Sequence, residues 1–282
     1  MSRRVLLVSH EWREQAVTAA EQAESRLREL GIEPIRELDD DPANDPELVL
    51  VLGGDGTLLR AAELVRGRDI PLIGVNLGHV GFLAEADPDS LGEVVQRIAD
   101  RDYTVEERMT IDVEVQTPAG EVHTGWAINE ATIEKVDRSG VIELALGVDG
   151  RGLSSFGCDG IVIATPTGST AYAFSGGGPV VWPDVEALLV VPIAAHALFS
   201  RPLVAGPSSV LAVEVLDRNL SGGDVWCDGR RQLPAPVGSH IDVRRGTEPV
   251  RLARIEPTPF SGRLVAKFAL PVTGWRGGRK DP

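Results

Sequence analysis

The chain has 282 residues, of which 43% are hydrophobic and 25% charged, and its formal net charge is −14 at pH 7. This length provides one large domain or two ordinary ones with a substantial core. The acidic balance argues against a nucleic-acid-binding protein, because phosphate backbones require a basic surface. A small anionic ligand can still bind through local hydrogen-bond donors.

Cysteine usage and the lengths of the apolar runs exclude further classes. Cys158 and Cys227 lie far apart in sequence, so one disulfide is possible but a disulfide scaffold or a cysteine-based zinc site is not. The apolar run near the N-terminus is too short for a signal peptide. The longest apolar run, residues 187–199, is interrupted by Pro192 and His196 and is shorter than a membrane span. These patterns predict a cytoplasmic protein with no membrane partner.

The first hundred residues alternate between strand and helix patterns. Continuous apolar runs predict strands buried on both faces at residues 5–9, 48–52 and 70–76. Helical spacing of apolar residues predicts helices at residues 12–30, 58–65 and 87–102. Such alternation predicts an α/β, Rossmann-like, doubly wound domain.

The pattern changes after Tyr103. Short alternating runs follow, separated by turn signals such as Pro118-Ala119-Gly120 and Asp149-Gly150. This texture predicts a mostly antiparallel, β-sandwich-like second domain, with the boundary near residue 106.

A Gly-Gly-Asp-Gly-Thr turn at residues 53–57 separates the strand at 48–52 from the next helix. Its glycines let a ligand approach the backbone, and the N–H groups at the start of a helix suit phosphate. Asp55 would repel phosphate, but it could act as a general base for a hydroxyl that attacks phosphate. The alternative is a tight turn in which Asp55 caps a helix beginning at Thr57. The chain has no P-loop sequence, and the turn does not match the G-x-G-x-x-G dinucleotide fingerprint.

A second candidate site lies at residues 159–179, DGIVIATPTGSTAYAFSGGGP. A strand at 161–165 enters a loop rich in Thr, Ser and Gly, and a short helix is predicted from about Thr170. Hydroxyls and loop N–H groups can hold phosphate or ribose oxygens without a fixed cation; the hydroxyls are those of Thr167, Ser169, Thr170 and Ser175. The alternative is a capped helix between two strands, but the density of donors favours a ligand loop.

These motifs together resemble the NAD kinase family. The resemblance covers about residues 1–275 and rests on the order and spacing of GGDGT, Asn129-Glu130, Asp159-Gly160, TPTGSTAY at 165–172 and GGGP at 176–179, with further similarity at 74–83 and 192–204. GGDGT alone also occurs in phosphofructokinases and in diacylglycerol-type lipid kinases. The Asn-Glu pair followed by TPTGSTAY is far more specific.

The resemblance implies a reaction and roles for the glycine turn. NAD kinases move the γ-phosphoryl group of ATP, or in some members of inorganic polyphosphate, to the 2′-hydroxyl of the adenosine ribose of NAD, giving NADP. Asp55 matches the catalytic acid that accepts the hydroxyl proton, while Gly54, Gly56 and Thr57 would face the donor phosphates. A divalent cation, expected to be Mg²⁺ carried with ATP, would neutralise those phosphates. The resemblance also implies that residues 262–282 return to the first domain, 1–106, leaving 107–261 as the NAD-binding and oligomerisation domain.

Other positions match the dinucleotide site of the family. Asn129 and Glu130 match a pair that binds the NAD nucleoside, although a polar pair at a strand end is the alternative. Tyr172 could stack on a base. Phe82 matches an aromatic near the adenosine, with core packing as the alternative. The remaining matches in the ligand loop are Thr167, Thr170, Ala171 and Ser175.

Asp159 and Ala194 match family positions that reach the site of a neighbouring subunit, which implies a homodimer or homotetramer with shared active sites. Arg230 follows an Asp-Gly pair where the family has a ligand contact; an exposed turn is the alternative. Arg60 could approach phosphate or form a surface salt bridge. His196 matches a family histidine, for which we expect an interior structural role.

One departure from the family concerns the residues before Asp159. Gly157 lies where many members carry a basic residue, so one ligand contact is expected to be missing or supplied by Arg151.

Two other functions share parts of this pattern. A lipid or sugar kinase could share GGDGT, but it would not account for Asn129-Glu130 or for the Thr/Ser loop. A non-catalytic NAD(P)-binding regulator would not require Asp55.

Overall fold

The computed structural model describes residues 3–10, 13–78, 81–84, 90–137, 140–197, 200–255 and 259–272. The described residues form two compact units. The first unit contains those within 1–107 and 251–282, and the second is Arg108–Val250.

The first unit is an α/β structure around one six-stranded sheet. Its strands are β1 (Arg4–Ser9), β2 (Glu33–Ile35), β3 (Leu48–Leu52), β4 (Leu72–Val75), β5 (Thr104–Arg108) and β18 (Val250–Arg254). Its helices are α1 (Glu14–Glu29), α2 (Asp55–Leu64), α3 (Leu91–Asp100) and α5 (Phe260–Phe268), with a 3₁₀ turn at Pro42–Asn44. The strand order is β2-β1-β3-β4-β18-β5. The pairs β1–β2, β1–β3, β3–β4 and β4–β18 are parallel.

Helices cover both faces of this sheet. Ile73 and Val75 of β4 belong to a buried cluster with residues of α1 and α3. Gly74 points to the opposite face, where a Cβ would lie 3.1 Å from Cδ1 of Leu58 in α2. Because successive residues of a strand face opposite sides, α2 packs on the face away from α1 and α3. The predicted doubly wound arrangement is confirmed, and it explains why all of β3 is buried.

The chain returns to the first unit earlier than the sequence predicts. Leu252 of β18 pairs with Leu72 of β4, so the return begins at Arg251 rather than near residue 262. Apolar and polar residues alternate in 250–254 as they do in the strands of the second unit. The sequence pattern therefore does not show that β18 pairs with β4 of the first unit.

The second unit consists of two six-stranded antiparallel sheets. The strands of the first are β6 (Ile111–Gln116), β7 (Val122–Ala127), β9 (Ile142–Val148), β10 (Arg151–Cys158), β14 (Leu211–Val215) and β17 (His240–Arg245). Those of the second are β8 (Glu130–Lys135), β11 (Gly160–Ala164), β12 (Leu188–Ile193), β13 (Leu203–Ala205), β15 (Gly223–Cys227) and β16 (Arg231–Ala235). The orders are β10-β9-β14-β17-β6-β7 and β13-β12-β11-β8-β15-β16.

The core of the second unit lies between these sheets. Val113 and Leu144 from one sheet and Ile133 and Ile161 from the other belong to a single buried cluster. Side chains from the inner faces of two sheets form such a core in a β-sandwich, so the predicted β-sandwich-like domain is confirmed.

The outer face of the second sheet carries the Thr/Ser loop. A 3₁₀ turn at Thr167–Thr170 is followed by α4 (Tyr172–Ser175). Ala173 of α4 packs with Val162, Ala164 and Leu189, which face outward from β11 and β12. Burial of Ala173 holds the loop on the sheet. Because α4 covers the outward-facing residues, β11 and β12 carry apolar residues on both of their faces.

Several local expectations change. The helix predicted at 58–65 begins at Asp55, and α3 covers 91–100 of the predicted 87–102; Trp12 and residues 87–89 lie outside the described residues. Cys158 and Cys227 are buried and not joined, and burial raises the pKa of each thiol to about 12. None of the helices within the described ranges is long and apolar enough to cross a membrane.

Candidate active site

The glycine turn joins β3 to α2 in the first unit. Gly54 is the N-cap residue of α2, and Asp55 is the first helical residue. A Cβ at Gly53 would collide with the side chain of Thr57. The turn therefore needs glycine at residue 53 for close approach, and it leaves the first N–H groups of α2 without helical partners.

The Asp55 carboxylate binds main-chain amides from another segment. Oδ2 accepts a hydrogen bond from the Phe82 N–H at 2.9 Å, and Oδ1 accepts from Leu83 at 3.0 Å and Ala84 at 3.4 Å. A Cβ at Gly81 would overlap the same carboxylate. Gly54, and not Asp55, is the N-cap residue of α2, and the Asp55 carboxylate accepts from residues 82–84 rather than from its own helix, so the helix-cap alternative is wrong. Asp55 instead joins the glycine turn to residues 81–84.

Residues 81–84 are held from their other side by two arginines that the sequence analysis did not identify. Arg263 donates to the Phe82 carbonyl at 2.8 Å, and Arg254 donates to the Leu83 carbonyl at 2.9 Å. The Phe82 ring lies 5.9 Å from the rings of Phe260 and Phe268 in α5. The structure therefore shows Phe82 in an aromatic cluster, which favours the packing alternative for this side chain.

A cavity of about 190 Å³ opens beside the glycine turn, at the N-terminal ends of α1 and α2. Its wall includes His10, Arg13, Gly53, Gly54, Thr57 and Asn76. Two helix N-termini and an arginine favour an anion such as a phosphate group. Gly54 and Thr57 were predicted here. Arg13, directly before α1, and Asn76, directly after β4 in the matched segment 74–83, were not predicted as site residues. Gly56 and Arg60 are exposed on α2.

In the second unit, the Thr/Ser loop contacts the segment containing Asn129. The Thr165 N–H donates to the Asn129 carbonyl at 2.9 Å, and the Thr165 hydroxyl donates to the Ile128 carbonyl at 2.5 Å. A Cβ at Gly168 would overlap the Asn129 carbonyl. The structure thus brings together two motifs that are 36 residues apart, as counted from Asn129 to Thr165.

Glu130 is the buried member of the Asn-Glu pair, with 7% of its surface exposed. Burial, with a smaller contribution from the nearby Asp228 carboxylate, raises the pKa of Glu130 to about 8, although a hydrogen bond from the Tyr172 amide opposes this rise. Burial also raises the pKa of Asp228. The raised pKa favours the protonated form of Glu130 near neutral pH, and that form can donate a hydrogen bond as well as accept one.

The hydroxyls of the loop are only partly available to a ligand. The Ser169 hydroxyl accepts from the Val181 N–H at 2.9 Å and donates to its carbonyl at 3.1 Å, so the expectation that Ser169 serves as a ligand donor is wrong. Thr170 donates to the Thr167 carbonyl at 3.3 Å. Tyr172 and Ser175 are exposed, Thr170 and Ala171 are partly buried, and Thr167 is buried.

The positions matched to a subunit contact lie at the edge of the loop region. Asp159 forms an ion pair with Lys135 at 2.5 Å. Ala194 is exposed and has a positive φ of 49°, which is uncommon for alanine. The His196 side chain is exposed, so the expected interior role is wrong. The main-chain N–H of His196 donates to the Gly157 carbonyl at 2.8 Å.

The two remaining arginines are both exposed. Arg230 belongs to the turn between β15 and β16. Arg151 begins β10, whereas Gly157 lies near the opposite end of that strand, and nothing in the structure shows Arg151 replacing the basic residue that Gly157 lacks.

Comparison with protein families identifies this architecture. Residues 5–103 match the ATP-NAD kinase N-terminal domain, and residues 128–255 match the ATP-NAD kinase C-terminal domain. An NAD kinase of Thermobifida fusca is 54% identical over 98% of this chain and 92% of its own length. NAD kinase 2 of Streptomyces coelicolor is 53% identical over 98% of this chain and 97% of its own length. The chain belongs to the ATP-NAD kinase family and is a phosphotransferase.

Solved structures show the same fold. Yeast NADH kinase complexed with NADH has a TM-score of 0.87 at 21% identity, over 100% of this chain and 90% of its own. An NAD kinase from Archaeoglobus fulgidus in complex with ATP has a TM-score of 0.76 at 25% identity, over 96% and 100% of the two chains.

Proposed function

We propose that this chain transfers the γ-phosphoryl group of ATP to the 2′-hydroxyl of the adenosine ribose of NAD and so forms NADP. The observation that carries the proposal is the contact between Asn129 and the Thr165–Gly168 segment. This contact joins the two motifs that other GGDGT kinases do not share. Membership of the family and the ligands named for the two solved relatives support the same reaction.

Asp55 is proposed to accept the proton of the 2′-hydroxyl. A carboxylate has about four acceptor sites, and main-chain amides take three of them in Asp55. The remaining site is available to a hydroxyl, while the amides fix the orientation of the carboxylate. As the proton passes to Asp55, the ribose oxygen bonds to the γ-phosphorus and ADP leaves.

The cavity at the glycine turn is proposed to bind the donor phosphates. Gly54 and Thr57 supply the turn that faces the cavity, and Arg13 supplies positive charge. Phosphoryl transfer depends mainly on positioning and on neutralising charge. We propose that a divalent cation, Mg²⁺, arrives with ATP as part of the substrate, and that Gly56 and Arg60 lie at the edge of this donor site.

The second unit is proposed to bind the NAD nucleoside. Asn129 and protonated Glu130 offer directional hydrogen bonds, and the exposed Tyr172 ring is available to stack. The other proposed contacts are Thr167, Thr170, Ala171, Ser175 and Arg230. Phe82, in the first unit, remains a proposed contact of the adenosine because the family resemblance implies it.

Oligomeric state and location are further parts of the proposal. The exposure of Ala194 and the partial exposure of Asp159 are compatible with contact to a second copy of the chain, so we propose a homodimer or homotetramer. The charge and the short apolar runs of the sequence support a cytoplasmic enzyme.

The test is NADP formation by the purified chain with NAD and either MgATP or polyphosphate as donor. We expect NADP to accumulate with MgATP, detected by an NADP-specific dehydrogenase, and the polyphosphate reaction defines donor choice. Absence of NADP with both donors would contradict the proposal. Parallel reactions with diacylglycerol and sugars test the lipid or sugar kinase alternative, and calorimetric NAD binding without turnover would identify a non-catalytic binding protein.

A further inference from the structure

Asp228 has surroundings that a simple hairpin turn does not require. It follows Cys227 at the end of β15, and Asp228 and Gly229 both have positive φ, 53° and 62°. Asp-Gly with positive φ is a common turn between strands, and an exposed carboxylate is sufficient for it. The Asp228 side chain is instead only 1% exposed.

The buried carboxylate of Asp228 holds the backbone around Asn129. Its Oδ1 accepts from the Asn129 N–H at 2.7 Å, and both of its oxygens lie within 3.1 Å of the Ile128 N–H. The Asp228 N–H donates to the Glu130 carbonyl at 2.9 Å. One residue therefore binds three consecutive residues, 128–130, where the chain enters β8.

Arg231 and Trp126 hold the carboxylate itself in place. Arg231 donates to Oδ2 of Asp228 at 2.8 Å, and its guanidinium carbon lies 4.3 Å from the centroid of the Trp126 ring. A buried carboxylate needs such a partner, because an unpaired buried charge is strongly unfavourable. Stacking on the indole fixes the plane of the guanidinium group.

Asn129 is thus bound on both sides of its main chain: its N–H by Asp228 and its carbonyl by Thr165. We propose that Asp228 is a positioning residue for nucleoside recognition, which fixes Asn129 and Glu130 in the geometry that binds NAD. This inference rests on the proposed function. Preorganisation of this kind lowers the ordering that a ligand must impose when it binds.

The test is Asp228→Asn, with steady-state kinetics for both substrates and calorimetric titration with NAD. The new amide group places N–H donors next to the Ile128 and Asn129 N–H groups and removes the charge that Arg231 pairs with. We expect KM for NAD to rise about tenfold or more, with KM for ATP changed less than about twofold. An NAD KM and affinity equal to wild type would overturn the inference.

Asp149→Asn is the matched control. Asp149 also has a positive φ, 51°, precedes a glycine in a hairpin turn, and accepts a hydrogen bond from the Val210 N–H at 2.9 Å. Its hydrogen bonds among the described residues are made with Ser209 and Val210, far from Asn129 in sequence, so the NAD KM of this variant is expected to equal wild type. Equal rises in NAD KM for both variants would show a general effect of altered turns and would overturn the inference.

A second variant decides the matter where Asp228→Asn fails to fold. Arg231→Gln weakens the hold on Asp228 and leaves the carboxylate in place. We expect a smaller rise in NAD KM, again without a change in ATP KM, and an unchanged NAD KM would overturn the inference. Wild-type chain that forms no NADP indicates failure of the proposed function, whereas active wild type with an unaltered Asp228→Asn variant indicates failure of this inference alone.

Discussion

At the residue scale, Asp55 is the side chain on which the proposed chemistry depends. The sequence predicts its position in a glycine turn, but not that its carboxylate binds the amides of residues 82–84. These donors are main-chain groups almost thirty residues away, so no residue type in the sequence indicates them. The arrangement orients the carboxylate through main-chain N–H groups, which are present whatever the side chains of residues 82–84.

We predict that Asp55→Asn lowers kcat by about 10²–10⁴-fold, because a carboxamide cannot accept the hydroxyl proton. NAD affinity, measured by calorimetry, is expected to stay within about threefold of wild type, because the nucleoside residues belong to the second unit. Asp102→Asn, an acidic surface position in the same unit, is the control. Unimpaired turnover of Asp55→Asn would remove Asp55 from the role of base.

Glu130 gives the second prediction at this scale. Its pKa is about 8 in the folded protein against an ordinary value of 4.5. Between these pH values the folded chain keeps a proton that the unfolded chain has lost, so the free energy of unfolding falls as pH rises by at most about 1.4 kcal/mol per pH unit. Below the ordinary value both states are protonated and the loss is absent.

Glu130→Gln should remove this pH dependence, because glutamine does not ionise. In urea unfolding at pH 6 and pH 8, we expect the wild-type free energy to fall by about 1–3 kcal/mol more than that of the variant. Glu134→Gln, on the same strand but partly exposed, is the control and should follow wild type. Parallel profiles for wild type and Glu130→Gln would show that Glu130 is ionised in the folded chain.

At the element scale, the Thr/Ser loop and the start of β8 act as one structural element. The loop predicted from residues 159–179 is present, but Ser169 binds Val181 rather than facing a ligand. Folding decides which hydroxyl of the loop forms hydrogen bonds within the protein, because it sets which groups lie next to each hydroxyl. The composition of the loop does not show this. Asp228 was missed for the same reason: Asp-Gly indicates a turn, and its contacts are about 100 residues distant.

Gly168→Ala tests the packing of the loop against β8. The new Cβ would overlap the Asn129 carbonyl, and we expect a loss of about 1–3 kcal/mol in stability with a rise of about tenfold in NAD KM. Urea unfolding and substrate kinetics measure both.

The control for this substitution is Gly206→Ala, where a Cβ has no neighbour within 4 Å. That change is expected to alter stability by less than about 0.5 kcal/mol. Gly168→Ala with control-like stability and kinetics would contradict the close contact between the loop and Asn129.

At the scale of the whole molecule, alternation of apolar residues was sufficient to predict both architectures. Continuous runs such as Leu48–Leu52 indicate strands buried on both faces, and alternating runs such as Ile111–Gln116 indicate sandwich strands. The placement of β18 in the first sheet was not predictable in this way. Its alternating residues suit either sheet, and pairing with β4 is decided by tertiary contacts far apart in sequence.

The site residues that belong to recognisable motifs could be predicted from the sequence, and the others could not. GGDGT, Asn129-Glu130 and TPTGSTAY indicated the chemistry, while Arg13, Arg254 and Asp228 emerged only from the structure. These residues act by position in the folded chain, since arginine and aspartate at those points form no recognisable local pattern.

The most direct test of the account is ³¹P NMR of the product formed by the purified chain from NAD and MgATP. We expect a new phosphomonoester on the 2′-oxygen of the adenosine ribose, formed in equal amount with ADP. Phosphate released only as inorganic phosphate, or transferred to another position while the 2′-hydroxyl stays free, would contradict it.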